Sequence, residues 1–185
     1  MLGGRVVAAL LGALSGGAPI PTPIGVGPLY RLPAAPARVA AAEPVGRFRC
    51  GATARPRVRA HVELFANRRV LILPAGIGMA PPLARDGAYV TRARCSYAVR
   101  TTTPTGVIEV VAAKNATIGD LFRVWGQPLT RARLAGFRGR VHAYVARSRW
   151  RGDIRAIPLR RHAQIVLEIG GYVRPHRFFL FGRGG

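Results

Sequence analysis

Arg57, Arg59 and His61 alternate along the run RVRAH, and Arg100 follows a second cysteine some forty residues later, beside a row of threonines. In an extended chain, residues two apart share a face, so positions 57, 59 and 61 project together from one strand, and 100 and 102 from another. A guanidinium is a fork of donors with no acceptor for a metal, and several such forks suit phosphate, sulfate or carboxylate. The sharp expectation is therefore an anion site made of Arg57, Arg59, His61 and Arg100. A solvated face in an arginine-rich chain is the plainer alternative. A residual metal site using His61 and Glu109, helped by a distant His142 or His162, is the third, and two scattered imidazoles are sparse ligation for any metal.

Other chemistry finds less support. The serines are Ser15, Ser96 and Ser148, and none sits in a nucleophile elbow. Asp153 and Glu168 show no paired-carboxylate spacing, and the glycine-rich GIG and GRGG lack a phosphate-loop lysine or a dinucleotide fingerprint. The reading is thus non-enzymatic, with no cofactor. Cys50 and Cys95 lie in no CxxC pair, which disfavours metal binding or redox work by cysteine. In an exported chain their even number favours one disulfide, which on the chain-entropy model stabilises by about 4 kcal/mol. In a reducing compartment they are two unrelated thiols.

These residues need a scaffold. VRAHVELF, residues 58–65, has the two-residue period of a half-buried strand, Asn67 turns the chain, and VLILP returns as its partner before Pro74 and the Gly76–Gly78 turn. Residues 79–94, containing PPL and ARDG, read as a loop. Strands follow around Tyr97–Arg100 and Val107–Val111, separated by TTTPTG. TIGDLFRVWG predicts the one clear helix, with Thr117 as cap, Asp120 as the capping-box acid and Gly126 as stop. VHAYVA alternates as a later strand, a loop through Gly152 and Asp153 leads to AIPL and a short turn at Arg160–Ala163, and IVLEIG is the final strand. One helix among six or seven strands predicts an α+β domain with a mostly antiparallel or mixed sheet and one packed helix, β-grasp-like if the helix crosses between hairpins. A β-sandwich with a peripheral helix is the alternative.

The 185 residues fit one domain with extensions, and 49% hydrophobic residues predict a real core despite a net charge of +22. Lys114 is the sole lysine, so arginine supplies almost all of that charge. Residues 1–18 carry Arg5 and an apolar run from Val6 to Leu14, which reads as a weak signal peptide or a short membrane-proximal segment. Residues 19–46 are Pro, Ala and Gly rich and read as a linker, residues 47–174 as the domain, and residues 175–185 as a tail. Within that tail RFFLF suggests an added edge strand, a membrane-surface contact or an oligomer contact. The expected setting is extracytoplasmic, secreted or in the cell envelope, with a cytoplasmic location as the alternative. A charge of this sign attracts an anionic wall polymer, a lipid surface, a small anion or nucleic acid. For nucleic acid, RARLAGFRGR and VARSRWRGDIR interleave arginines with Phe137 and Trp150.

Four segments together carry a family likeness. RCGATARPRVRAHVELFANRRVLILPAGIG, CSYAVRTTTPTGVIEV, TIGDLFRVWGQPL and GDIRAIPLRRHAQIVLEIG resemble, in order and spacing, an uncharacterised group of bacterial exported proteins over residues 47–170. That pattern joins two cysteines to a His-rich first strand, a His-Thr-His-Asp segment after the second cysteine, and a His two residues past Gly-Val-Ile. The matching positions here are Arg57, Arg59 and His61, then Arg100, Thr101, Thr102 and Thr103, then Glu109. Only His61 and Thr101 keep the family's residue, so the resemblance implies that any metal site formed by those histidines is lost in this chain.

Overall fold

A computed structural model describes residues 34–51, 55–111, 115–176 and 178–181; the expected signal peptide lies outside them. Strand β1 (Val58–Ala66) is the axis of the sheet. Its even-numbered side chains Ala60, Val62, Leu64 and Ala66 are almost wholly buried in the main core, as the alternation predicts. Asn67 and Arg68 both take positive φ, 52° and 64°, which makes the tight turn into β2 (Arg69–Leu71).

The later strands assemble around β1. After β3 (Met79–Asp86) and β4 (Tyr89–Ser96) come β5 (Val99–Arg100), β6 (Val107–Val110), β7 (Leu129–Thr130), β8 (Arg133–Leu134) and β9 (Phe137–Arg138). They are followed by β10 (Val141–Val145), β11 (Ser148–Arg149) and β12 (Gln164–Ile169). The main sheet has seven strands in the order β11-β10-β12-β1-β6-β5, with β2 pairing the C-terminal half of β1. β1 and β12 run parallel and the other pairs are antiparallel, so the sheet is mixed. β3 pairs with β4 as a separate hairpin, and β7, β8 and β9 form a small three-stranded sheet.

A short helix, α1, spans Ala37–Ala40, and α2 spans Ile118–Trp125. In α2 the Asp120 N–H donates to Thr117 Oγ1 at 3.3 Å and the Thr117 N–H donates to Asp120 Oδ2 at 3.1 Å. The capping box is complete, and Gly126 closes the helix at φ 71°. Ile118, Leu121, Phe122, Val124 and Trp125 join the sheet's inner side chains in one core. The domain is α+β, with a mixed sheet and one packed helix. Cys50 and Cys95 form a disulfide across 45 positions, with Cα atoms 5.6 Å apart.

Three expectations need correcting. Residues 79–94 are not a loop but most of the β3–β4 hairpin, whose register shifts between Ala80 and Leu83. Pro81 and Pro82 lie at that shift, where the missing N–H groups cost no ladder bond. Residues 34–46, the described part of the expected linker over 19–46, pack on the domain: Val39, Val45 and the following Phe48 are buried, and the Tyr97 hydroxyl donates to the Glu43 carbonyl. The same segment closes over the helix end, where a Cβ on Gly126 would come within 2.5 Å of Pro36 Cγ. The strand expected at Tyr97–Arg100 is only Val99–Arg100, and Ile154–Ala156 winds as a 3₁₀ turn ahead of Ile157 and Leu159.

Candidate functional site

The odd-numbered residues of β1 face away from the helix. Register places Arg59 opposite Glu109 and His61 opposite Val107 on β6, and Arg100 of β5 opposite Glu109 on its other side. The row Arg100–Glu109–Arg59 is thus written into three adjacent strands. Arg100 Nε donates to Glu109 Oε2 at 2.9 Å and its Nη1 donates to Ser96 Oγ at 2.8 Å. Thr102 Oγ1 donates to Glu109 Oε1 at 3.2 Å, and Arg59 Nη2 lies 3.9 Å from the same oxygen. Arg100 and Glu109 are buried, at 6% and 8% exposure.

Of the expected anion ligands, Arg59 and Arg100 therefore do meet, but around a carboxylate that already fills the place of a ligand. Arg57 stands exposed where the chain enters β1, its N–H bonded to the Val110 carbonyl at 2.9 Å. His61 Nε2 lies 3.1 Å from the Thr105 carbonyl, which accepts its proton, and the ring stacks on Phe179 at 3.7 Å. Burial pulls this imidazole below the ordinary histidine range, against the pull of Glu63 in the other direction. Thr101 is structural: its hydroxyl donates to the Pro74 carbonyl at 2.7 Å and accepts from the Ile77 N–H at 3.0 Å. Among the described residues no three His, Cys, Asp or Glu side chains gather as metal ligands, and Glu109 of the weak alternative is held by Arg100.

A second arginine site lies at the free edge of the sheet. A groove of about 350 Å³ is bordered by Arg131, Arg140, His142, Arg149, Trp150 and Arg151. The small β7–β9 sheet brings the first two there, because the Val141 N–H donates to the Arg131 carbonyl at 2.9 Å. The β10–β11 hairpin brings the others: Arg149 sits opposite Tyr144, and the Trp150 N–H donates to the Ala143 carbonyl at 2.8 Å. Trp150 is fixed by its Nε1–H donating to the Asp153 carbonyl at 3.1 Å and by close packing of Gly152 on its ring.

The charged side chains on the border of this groove are arginines. Among the described residues no carboxylate side chain borders it and no ion pair engages Arg131, Arg140, Arg149 or Arg151. Two acids stand near it: Asp153 is held by Arg155 at 3.1 Å, whose hydrogen bonds keep its carboxyl below the usual range, with a lesser pull from Arg131, and Glu168, opposite His142 in the strand register, is felt by His142 and Arg149. Arg149 Nη2 donates to His142 Nδ1 at 2.9 Å, so that nitrogen presents its lone pair and the imidazole adds no proton there. Guanidinium groups with open donors around one hollow can hold an oxyanion bidentately. Both basic stretches flagged in the sequence end in this groove. Their convergence depends on how β7–β9 folds back, which no local pattern announces. Phe137 and Trp150, flagged with them, both pack against the core, and of the two only Trp150 also borders the groove.

No family model, curated protein or solved structure matches the chain.

Proposed function

We propose that this protein is a non-enzymatic, extracytoplasmic domain that binds an anionic envelope polymer, or a small anion of the same oxyanion chemistry, in the groove of Arg131, Arg140, Arg149 and Arg151. The observation that carries the reading is the meeting of four arginines from two separate segments around one hollow with no carboxylate on its border. The Cys50–Cys95 bond supports an oxidising compartment, as does the resemblance to exported proteins. A β-grasp-like reading of the scaffold rests on the strand order β2-β1-β12-β10-β11, with a parallel central pair and α2 in the crossover.

The test is titration of the intact, oxidised chain with inorganic polyphosphate at several salt concentrations. Arg140→Ser with Arg151→Ser should weaken binding about tenfold or more and lower the salt slope by about one unit for each lost phosphate contact. Equal binding by the wild type and this double variant would place the charge effect elsewhere. Nucleic acid is the second reading, favoured by Trp150 in the same groove, where an aromatic ring offers a surface for base stacking. A single-stranded oligonucleotide that binds more tightly than polyphosphate of equal charge, and loses that margin in Trp150→Ala, would favour nucleic acid over an envelope polymer.

A further inference from the structure

The last described stretch, residues 172–176 and 178–181, crosses the outer face of the sheet without adding a strand to it. Its end is pinned on one side only. Phe179 stacks on His61 with ring centroids 3.7 Å apart, Phe181 stacks on His162 at 4.5 Å, and the two phenyl rings meet edge-on at 5.0 Å. An extended chain sends neighbouring side chains to opposite sides, so Phe178 and Leu180 point out, 66% and 81% exposed. Upstream, the His176 ring is fastened to Glu63 at 2.7 Å and the Val173 N–H to Glu168 at 2.9 Å. Tyr172 touches Tyr144 by its edge while remaining 59% exposed.

Four large hydrophobic side chains are exposed among the described residues, and three of them, Tyr172, Phe178 and Leu180, stand on this strap. Exposed apolar area is unremarkable when scattered and informative when collected. The ground beneath is basic: Arg160 and Arg161 precede His162 in its turn, Arg147 borders the small hollow shared by His61 and His176, and Arg174 lies exposed in the strap. The two carboxylates that face the strap, Glu63 and Glu168, are both engaged by it.

We propose that the outward row of this strap, Phe178 and Leu180 with Tyr172, docks on an anionic lipid surface, the apolar side chains entering the headgroup boundary and the surrounding arginines facing lipid phosphates. This stands apart from the groove and does not depend on it. Three outward side chains on an extended segment fall far short of the roughly 800 Å² per partner of a stable protein interface. They suit shallow insertion assisted by charge, and no helix among the described residues is long and apolar enough to cross a membrane. The ring stacks hold the row in place beforehand, so docking orders little new chain.

The experiment uses the full chain with vesicles of phosphatidylcholine alone or mixed with phosphatidylglycerol. Phe178→Trp should gain a blue-shifted emission, over the wild-type background, with the anionic vesicles only, and brominated acyl chains should quench it. Phe178→Ser with Leu180→Ser should lower partitioning about tenfold while polyphosphate titrates as for the wild type. Vesicle binding with no emission change, or binding indifferent to the double variant, would reduce the effect to adsorption of a basic protein and overturn the proposal. So would a wild-type dimer in lipid-free ultracentrifugation that the double variant abolishes, since the row would then join two copies.

Discussion

Two groups of arginines in this protein have the same chemistry and opposite circumstances. Arg100 and Arg59 converge on Glu109, and Arg100 is buried, its Nε donating to Glu109 and its Nη1 to Ser96. Arg131, Arg140, Arg149 and Arg151 converge on a groove with no acid at its border, and all four are exposed. The first group spends its donors on joining β5, β6 and β1, whereas in the second only Arg149 has a drawn side-chain acceptor among the described residues, His142. A net charge of +22 does not distinguish the two. The position of each carboxylate does, because a buried guanidinium without a partner is not tolerated and an exposed one is.

The strongest way to break this contrast is to remove the acid. Glu109→Ala should destabilise the fold by about 3–5 kcal/mol, since it strands the buried Arg100 charge, and Glu109→Gln should cost less because its carbonyl still accepts. Denaturant unfolding of the oxidised chain measures both. A cost below about 1 kcal/mol for Glu109→Ala would mean that Arg100 re-solvates easily and that the two groups differ less than their burial implies.

The converse change is made in the groove. Arg140→Ser with Arg151→Ser should leave unfolding free energy within about 0.5 kcal/mol of the wild type for each site, as for exposed side chains that hold no partner. A clear loss of stability would assign these arginines to the scaffold. A gain would show that their mutual repulsion is a standing cost, which is the expected mark of a site arranged for an anion.

Much of the scaffold was legible because its signals are local. The Thr117–Asp120 box with Gly126 fixes one helix, Asn67 fixes one hairpin, the alternation in residues 58–65 and 141–146 marks two strands, and the apolar run IVLEIG marks a third that is buried on both faces. What escaped was written in tertiary terms. Pro81 and Pro82 hide a hairpin whose outer half buries little. The Pro and Ala rich stretch before residue 47 looks unable to fold, yet its described part, residues 34–46, buries Val39 and Val45 in the core. The row Arg100–Glu109–Arg59 could be anticipated as a shared face. That Glu109 would occupy its centre depends on register, which sequence spacing alone leaves open.

The outer face also carries two buried titratable groups whose shifts oppose one another, and pH separates them. Burial pushes the Glu168 carboxyl up, against hydrogen bonds from the Val173 N–H and Tyr144. Burial pulls the His61 imidazole down. A carboxyl raised on folding binds more protons in the folded state, so its contribution falls as pH climbs from the ordinary glutamate value of 4.5 through the raised one. An imidazole lowered on folding binds fewer, so its contribution is complete above the ordinary value of 6.5 and is lost as pH drops through the lowered one. Glu168→Gln should remove the first limb and leave stability rising toward neutral pH, whereas His61→Phe should remove the second and leave it falling above the glutamate range. These are the smallest effects expected, and they are read from unfolding midpoints across pH 4 to 8. A Glu168→Gln profile that parallels the wild type would show that water reaches this carboxyl, and the strap over the outer face would then open more readily than its ring stacks imply.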